Sequence, residues 1–177
     1  MISYLFLSIF LLYLSFPNFF NLFGFWPFAW IFAVPLFLAL EGQPLGKRVL
    51  FGALFGLLFY AFLVEWLIAY NFIGYCLFVL ALTIQPVIFA AFYGSMPRPK
   101  AGLPPTSVDI LYIPALWVAS EYIRTIVLSG FSWNLGHSQT FNPYVLQTAN
   151  IFGSWGISFV IILVNYGLYG LDRKSVV

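Results

Sequence analysis

The sequence predicts an all-α polytopic membrane protein with about six transmembrane helices and both termini on the cytoplasmic side. Three observations carry that expectation. Of 177 residues, 63% are hydrophobic and only 7% are charged, whereas a soluble domain carries about 25% charged residues to cover its surface. The apolar residues form long runs broken by short polar stretches. Lysines and arginines gather in alternate breaks, the pattern that sets membrane orientation.

A helix needs about 20 mostly apolar residues to cross the hydrocarbon core. The first span is expected from Ile2 to Phe16, ending at Pro17-Asn18. It lacks the basic region and small-residue cleavage site of a signal peptide, so it reads as a retained span. The second is expected from Phe25 to Leu40, entered through Trp26-Pro27 and Trp30. Both are short, which requires tilt or local thinning of the bilayer. The alternative is five spans, with the first two segments forming a re-entrant hairpin. A polar loop from Glu41 to Arg48 precedes a third span from Val49 to Ile68, where Gly52 and Gly56 fit a close helix contact. The fourth is expected from Phe72 to Tyr93, with a kink at Pro86. Ser95 to Ser107 holds four prolines and two cations and reads as an irregular loop. The fifth span covers Ile110 to Leu128 and the sixth Val145 to Leu171, with an uncharged Asn- and Gly-bearing stretch from Ser129 to Tyr144 between them. Residues 1–177 thus form one transmembrane domain, with no soluble domain expected.

Lys47 and Arg48, then Arg98 and Lys100, then Arg173 and Lys174 fall on one side of a six-span chain. The opposite connections, around Asn18, Asn71 and Ser129 to Tyr144, contain no Lys or Arg. The uncharged stretch therefore faces outward. A net charge of +2 gives no case for nucleic acid, and a single cysteine, Cys76, excludes an intrachain disulfide. Cys76 has no charged neighbour in sequence to activate it and reads as an apolar filler. With one histidine and one cysteine, no metal site is expected, and no residue pattern implies a cofactor or a catalytic group.

Ionisable residues at membrane depth are costly and suggest function. Glu121 and Arg124 stand three apart on one helical face, and an ion pair between them would lower the burial cost. Such a pair serves either to fix helix packing or to hold substrate or a partner domain. Glu65 lies near the outer end of the third span, where it reaches water. The stretch SGFSWNLGHSQTFNPY concentrates Trp133, Asn134, His137, Ser138, Gln139 and Asn142. Polar backbone at this depth is tolerated only inside protein or along a cavity, and His137 reads as a hydrogen-bonded structural residue.

From Pro114 to Gln139 (PALWVASEYIRTIVLSGFSWNLGHSQ) the sequence resembles apolipoprotein N-acyltransferase, the last enzyme of bacterial lipoprotein maturation. Pro114, Ala115, Trp117, Glu121 and Arg124 match the family run, followed by Gly130, Phe131 and Trp133, then Gly136, Ser138 and Gln139. Leu14 to Pro17, Trp26-Pro27 and Gln147 to Asn165 are also similar. Ser132 stands where the family usually has proline, and His137 where it usually has tyrosine. The resemblance implies a bacterial plasma (inner) membrane protein whose partners are a phospholipid acyl donor and a diacylated lipoprotein acceptor. It implies that Glu121, Arg124, Trp133, Ser138 and Gln139 bind substrate or brace the site. The family's chemistry belongs to a nitrilase-like domain with a Glu–Lys–Cys triad, which would follow where this chain ends. The expectation is therefore the membrane half of such an enzyme, inactive as this chain alone. The alternative is a non-catalytic scaffold or accessory subunit descended from the family. A small transporter is disfavoured by the lack of paired inverted halves.

Overall fold

The computed structural model describes residues 1–95 and 107–175. The loop expected from Ser95 to Ser107 lies almost wholly outside the described residues. Among those residues the chain is helical: α1 (Ile2–Ser15), α2 (Ala33–Leu40), α3 (Leu45–Leu63), α4 (Phe72–Leu82), α5 (Ile84–Phe92), α6 (Ser107–Val127), α7 (Pro143–Leu146) and α8 (Ala149–Ser175). Short 3₁₀ segments cover Trp26–Trp30, Glu65–Ala69 and Leu135–Gln139.

Four helical stretches are long and apolar enough to cross a membrane: Leu45–Leu63, Phe72–Phe92, Ile110–Val127 and Ala149–Leu171. Ile2–Ser15 and Trp26–Leu40 are shorter apolar helices. The exposed surface carries large hydrophobic side chains such as Phe6, Phe10, Ile73, Leu77, Leu80 and Leu111. Water does not solvate such a surface, and lipid does.

Several expected boundaries shift, each for a local reason. The second segment is not one rod, because its 3₁₀ start gives way to α2 at Ile31 and Phe32. Asn165 of α8 fills that break. Its Oδ1 accepts from the Ala33 N–H at 2.8 Å and its Nδ2 donates to the Ala29 carbonyl at 3.0 Å. The side chain thus stands between two backbone groups four residues apart, which would pair directly in an unbroken helix. Ser8 of α1 donates to the Phe32 carbonyl at 2.7 Å. Unwound backbone is acceptable here because buried side chains satisfy it.

The third span begins earlier than expected, at Leu45, and stops at Leu63 rather than Ile68, where the chain tightens into a 3₁₀ turn. The fourth is bent at Thr83, three residues before Pro86. Pro86 has no N–H for the Leu82 carbonyl and its ring crowds that group, so the helix opens just ahead of the proline. Thr83 Oγ1 donates to the Val79 carbonyl at 2.8 Å. The expected last span from Val145 is divided. Pro143–Leu146 is a separate turn, and α8 contains a non-helical Gly153 with φ of 65°.

The glycine pair of α3 seats this bent helix. A Cβ on Gly52 would lie 2.5 Å from the Pro86 carbonyl oxygen, and one on Gly56 would lie 2.6 Å from Pro86 Cγ. Small residues let helix backbones approach closely, so α3 lies directly against the Thr83–Pro86 bend. On the other side an aromatic cluster closes the core. Phe37 stacks on Tyr93 at 5.6 Å, and Trp117 meets Phe89 at 4.9 Å and Phe32 at 5.7 Å, both edge to face. These contacts join α2, α5 and α6, and α8 adds Tyr166 against Phe37 at 5.4 Å.

Gly52→Val should lower the stability of the purified chain by about 2 kcal/mol, the cost of overpacking a filled contact. Gly46→Ala, where nothing lies within 4 Å of the added carbon, should change it by about 1 kcal/mol or less. Thermal unfolding in one detergent measures both. Equal effects would show that the Gly52 contact is not the close one described.

Candidate functional site

Glu121 and Arg124 project from the end of α6 and are each 1% exposed. The direct ion pair that their spacing suggests is not formed. Each charge instead takes neutral partners. Glu121 Oε1 accepts from Trp117 Nε1 at 2.9 Å and from the Leu135 backbone N–H at 2.7 Å. Arg124 donates from Nη2 to the Trp133 carbonyl at 2.7 Å, and from Nη1 to Tyr60 Oη at 2.6 Å and Gln85 Oε1 at 3.3 Å. The two charges therefore grip backbone groups on either side of Asn134. Irregular backbone offers unpaired donors and acceptors, and charge-assisted hydrogen bonds to them are about twice as strong as neutral ones. The loop competes successfully with the partner charge.

The loop itself is shaped by its first residues. Helix α6 ends with Ser129 at φ 53° and Gly130 at φ 96°. Gly130 N–H donates to the Thr125 carbonyl at 2.8 Å and Ser129 N–H to that of Ile126 at 3.1 Å, a Schellman ending. The chain then turns back to the Leu135–Gln139 3₁₀ segment, which rests on α8. Gly136 N–H donates to Ser158 Oγ at 2.9 Å, and a Cβ at Gly136 would strike the Ser154 carbonyl oxygen. Asn134 Nδ2 donates to Ser154 Oγ at 2.8 Å.

Gln139 ties this loop to the first 3₁₀ segment. Its Oε1 accepts from Trp30 Nε1 at 3.1 Å, and its Nε2 donates to the Trp26 carbonyl at 3.1 Å and Ser138 Oγ at 3.0 Å. Phe141 meets Phe23 edge to face at 5.1 Å. The 17–25 and 129–142 connections therefore lie together at one end of the bundle. His137 is half-buried, with Nδ1 accepting from the Asn134 N–H at 3.2 Å. Burial holds its imidazole below the ordinary value of 6.5; the backbone contact at Asn134 opposes this and the Arg124 charge adds to it.

The structure thus brings Glu121, Arg124 and the backbone of Trp133 and Leu135 together, whereas Gln139, with Ser138 beside it, turns to the Trp26–Trp30 segment at the other side of the same loop. The Trp133 ring is half-buried and meets Phe131 at 6.0 Å. Glu65 is exposed and Cys76 is half-buried on α4, and neither joins these contacts. Beside Glu65, an apolar cleft of about 580 Å³ runs between α1, the following loop and the end of α3, lined by Phe6, Phe10, Tyr13, Phe20 and Phe62. Sequence reasoning missed Tyr60, Gln85 and Asn165. For the last two the signal was present, since each is an amide inside an apolar span. Tyr60 gave none among so many aromatics.

Arg124→Met should cost about 3 kcal/mol, because it strips a charged donor from three buried acceptors at once. Arg124→Lys should recover less than half of that, since one ammonium cannot reproduce the planar fork. Melting temperatures of the three proteins at one pH measure the order. Acidification provides a second readout. The unfolded His137 protonates as pH falls through 6.5 while the folded one resists, so its contribution to stability is complete above 6.5 and lost below it. His137→Tyr should flatten the fall in melting temperature between about pH 7 and 5. An unchanged pH slope would assign that fall to other groups.

Residues 8–167 match the apolipoprotein N-acyltransferase N-terminal domain. The chain is 30% identical over 157 residues to an apolipoprotein N-acyltransferase 1 of Treponema denticola, covering 84% of this chain and 27% of that protein. It is 31% identical over 170 residues to the apolipoprotein N-acyltransferase of Geobacter metallireducens, covering 92% and 32%. With that of Methylococcus capsulatus it shares 32% over 170 residues, covering 86% and 33%. The chain therefore spans about a third or less of the length of these relatives. No solved structure matches it significantly. From the family match over most of its length and the relatives that share it, the chain belongs to the apolipoprotein N-acyltransferase family, of which it carries the N-terminal membrane domain.

Proposed function

We propose that this domain serves the transfer of a phospholipid acyl chain to the amino terminus of diacylated lipoproteins, by holding both lipid substrates beneath a nitrilase-like catalytic domain. The observation that carries this reading is the match of residues 8–167 to the N-terminal domain of an acyltransferase family. The catalytic groups belong to the Glu–Lys–Cys domain that the resemblance implies. Within the present chain, Glu121, Arg124, Ser138 and Gln139 act as positioning residues that fix the 129–142 loop, and the Trp133 carbonyl is one of the groups they hold. A rigid loop at this end of the bundle gives a catalytic domain a defined floor. The apolar cleft beside Glu65 offers an acyl chain a lateral path from the bilayer.

The same reading gives six crossings of a bacterial inner membrane, with the Lys47–Arg48 end in the cytoplasm and the 129–142 loop outside. In a Cys76→Ala background, Thr140→Cys should react with a membrane-impermeant thiol reagent added to intact spheroplasts. Reaction only after lysis would reverse the orientation.

Activity is tested with a phospholipid donor and a synthetic diacylated lipopeptide, followed by mass spectrometry. The chain alone should give no triacylated product. Joined in frame to the nitrilase-like domain of a relative, it should give product, and Gln139→Leu in that fusion should reduce the rate without loss of protein. Inactivity of a folded fusion whose parent relative is active would favour the scaffold reading, and transfer by the chain alone would overturn the division of labour.

A further inference from the structure

The seam between α1 and α3 opens at the end of the bundle away from the 129–142 loop. A cleft of about 580 Å³ lies there between the first turns of the two helices. Met1, Ile2 and Ser3 line one side, and Lys47, Leu50 and Phe51 the other. The last three share one face of α3 by their spacing of three and four residues. Phe51 is buried and closes the cleft toward the core, whereas Ile2 and Leu50 are exposed and leave it open to lipid.

The positive charge at this mouth has no answer among the described residues, where neither Lys47 nor the adjacent Arg48 forms an ion pair or a side-chain hydrogen bond. Arg48 does not line the cleft. It packs over Gly94 beyond α5, where an added Cβ would meet its guanidinium, and its Nε is buried without a partner. Lys47 stands in the first turn of α3, the end of a helix that favours anions, and no acidic side chain or side-chain cap offsets it there. Setting membrane orientation needs these charges but not a cleft beside them. A free inorganic anion would answer Lys47 and leave the apolar walls unfilled. A zwitterionic lipid would bring a cation of its own. The arrangement fits an anion that carries a hydrocarbon chain.

We infer that this cleft binds one anionic phospholipid from the leaflet at the Lys47 end. Lys47 and Ser3 donate to its phosphate, and one acyl chain lies along Ile2, Leu50 and Phe51. Basic pockets between membrane helices take acidic headgroups in this way. The lipid offsets the charge of Lys47 at the start of α3 and fastens the first turn of α1 to it. The site lies away from the Arg124 clamp, so the inference stands whether or not the acyltransferase reading does, and for either orientation of the domain.

Native mass spectrometry of the purified chain tests it, with phosphatidylglycerol or phosphatidylcholine of the same acyl chains titrated into detergent. One phosphatidylglycerol should be retained several-fold more tightly than phosphatidylcholine. Lys47→Gln should abolish that preference, whereas Lys100→Gln, which removes the same charge from the segment between Ser95 and Ser107, should keep it. Leu50→Trp, which fills the cleft and leaves the charge, should weaken retention of phosphatidylglycerol. Lys47 and Leu50 are exposed, so neither change disturbs the core. Equal retention of the two lipids by the native chain would overturn the inference. An equal loss of preference in Lys47→Gln and Lys100→Gln would overturn it too, because net charge alone would then act. Undiminished retention in Leu50→Trp would place the lipid outside the cleft. Displacement by inorganic phosphate, but not by chloride at equal ionic strength, would assign the site to a free anion and contradict the lipid.

Discussion

Arg124 carries a charge that neither hydrocarbon nor a packed aromatic core can solvate, and it is almost wholly buried. Its position is tolerable only because α3, α5 and the loop after α6 each bring it an acceptor. That requirement orders much of the domain. Tyr60 must face α6, which fixes the rotation of α3. Gln85 must face the same point, and it stands beside Pro86, where α5 packs closely against Gly52 and Gly56. The Trp133 carbonyl must turn inward, which sets the course of the 129–142 loop. Glu121 fastens the other side of the same short segment through the Leu135 N–H.

A second constraint of the same kind acts at the opposite side of that loop. Gln139 holds the Trp26–Trp30 segment, and Asn165 bridges the break that follows it. Both devices put a side-chain amide where unwound backbone would otherwise lack partners. Membrane proteins keep irregular backbone only where such partners exist. The irregular segments at this end of the bundle are therefore also heavily braced. Rigidity here is a property of polar groups buried among lipid-facing helices.

Most helical stretches were legible in the sequence, because long apolar runs and sparse charges leave little choice in a bilayer. The glycine pair and the shared face of Glu121 and Arg124 were legible too, since both follow from helical spacing. What the charges bind was not. Spacing placed Glu121 beside Arg124, but their actual partners come from Tyr60, Gln85 and the backbone at 133 and 135, and sequence separation hides such pairs. The breaks at Phe32 and Gly153 were hidden for a related reason. A proline marks only the bend near Thr83, and the break at Phe32 depends on an asparagine 132 residues downstream of Ala33. The family resemblance rested on the same Pro114–Gln139 stretch that forms the clamp, so the residues that carried recognition also carry structure.

The clamp is tested most directly by hydrogen exchange of the amides from Gly130 to Gln139 in nanodiscs, comparing the native chain with Glu121→Leu. The Leu135 amide donates to a buried carboxylate, so it should exchange slowly in the native chain. In the variant its exchange should rise by about tenfold or more, the factor for losing about 1.4 kcal/mol of local stability, while the amides of α3 and α5 keep their rates. Equal exchange at Leu135 in both proteins would contradict the account, because the loop would then owe its course to something other than the charges of α6.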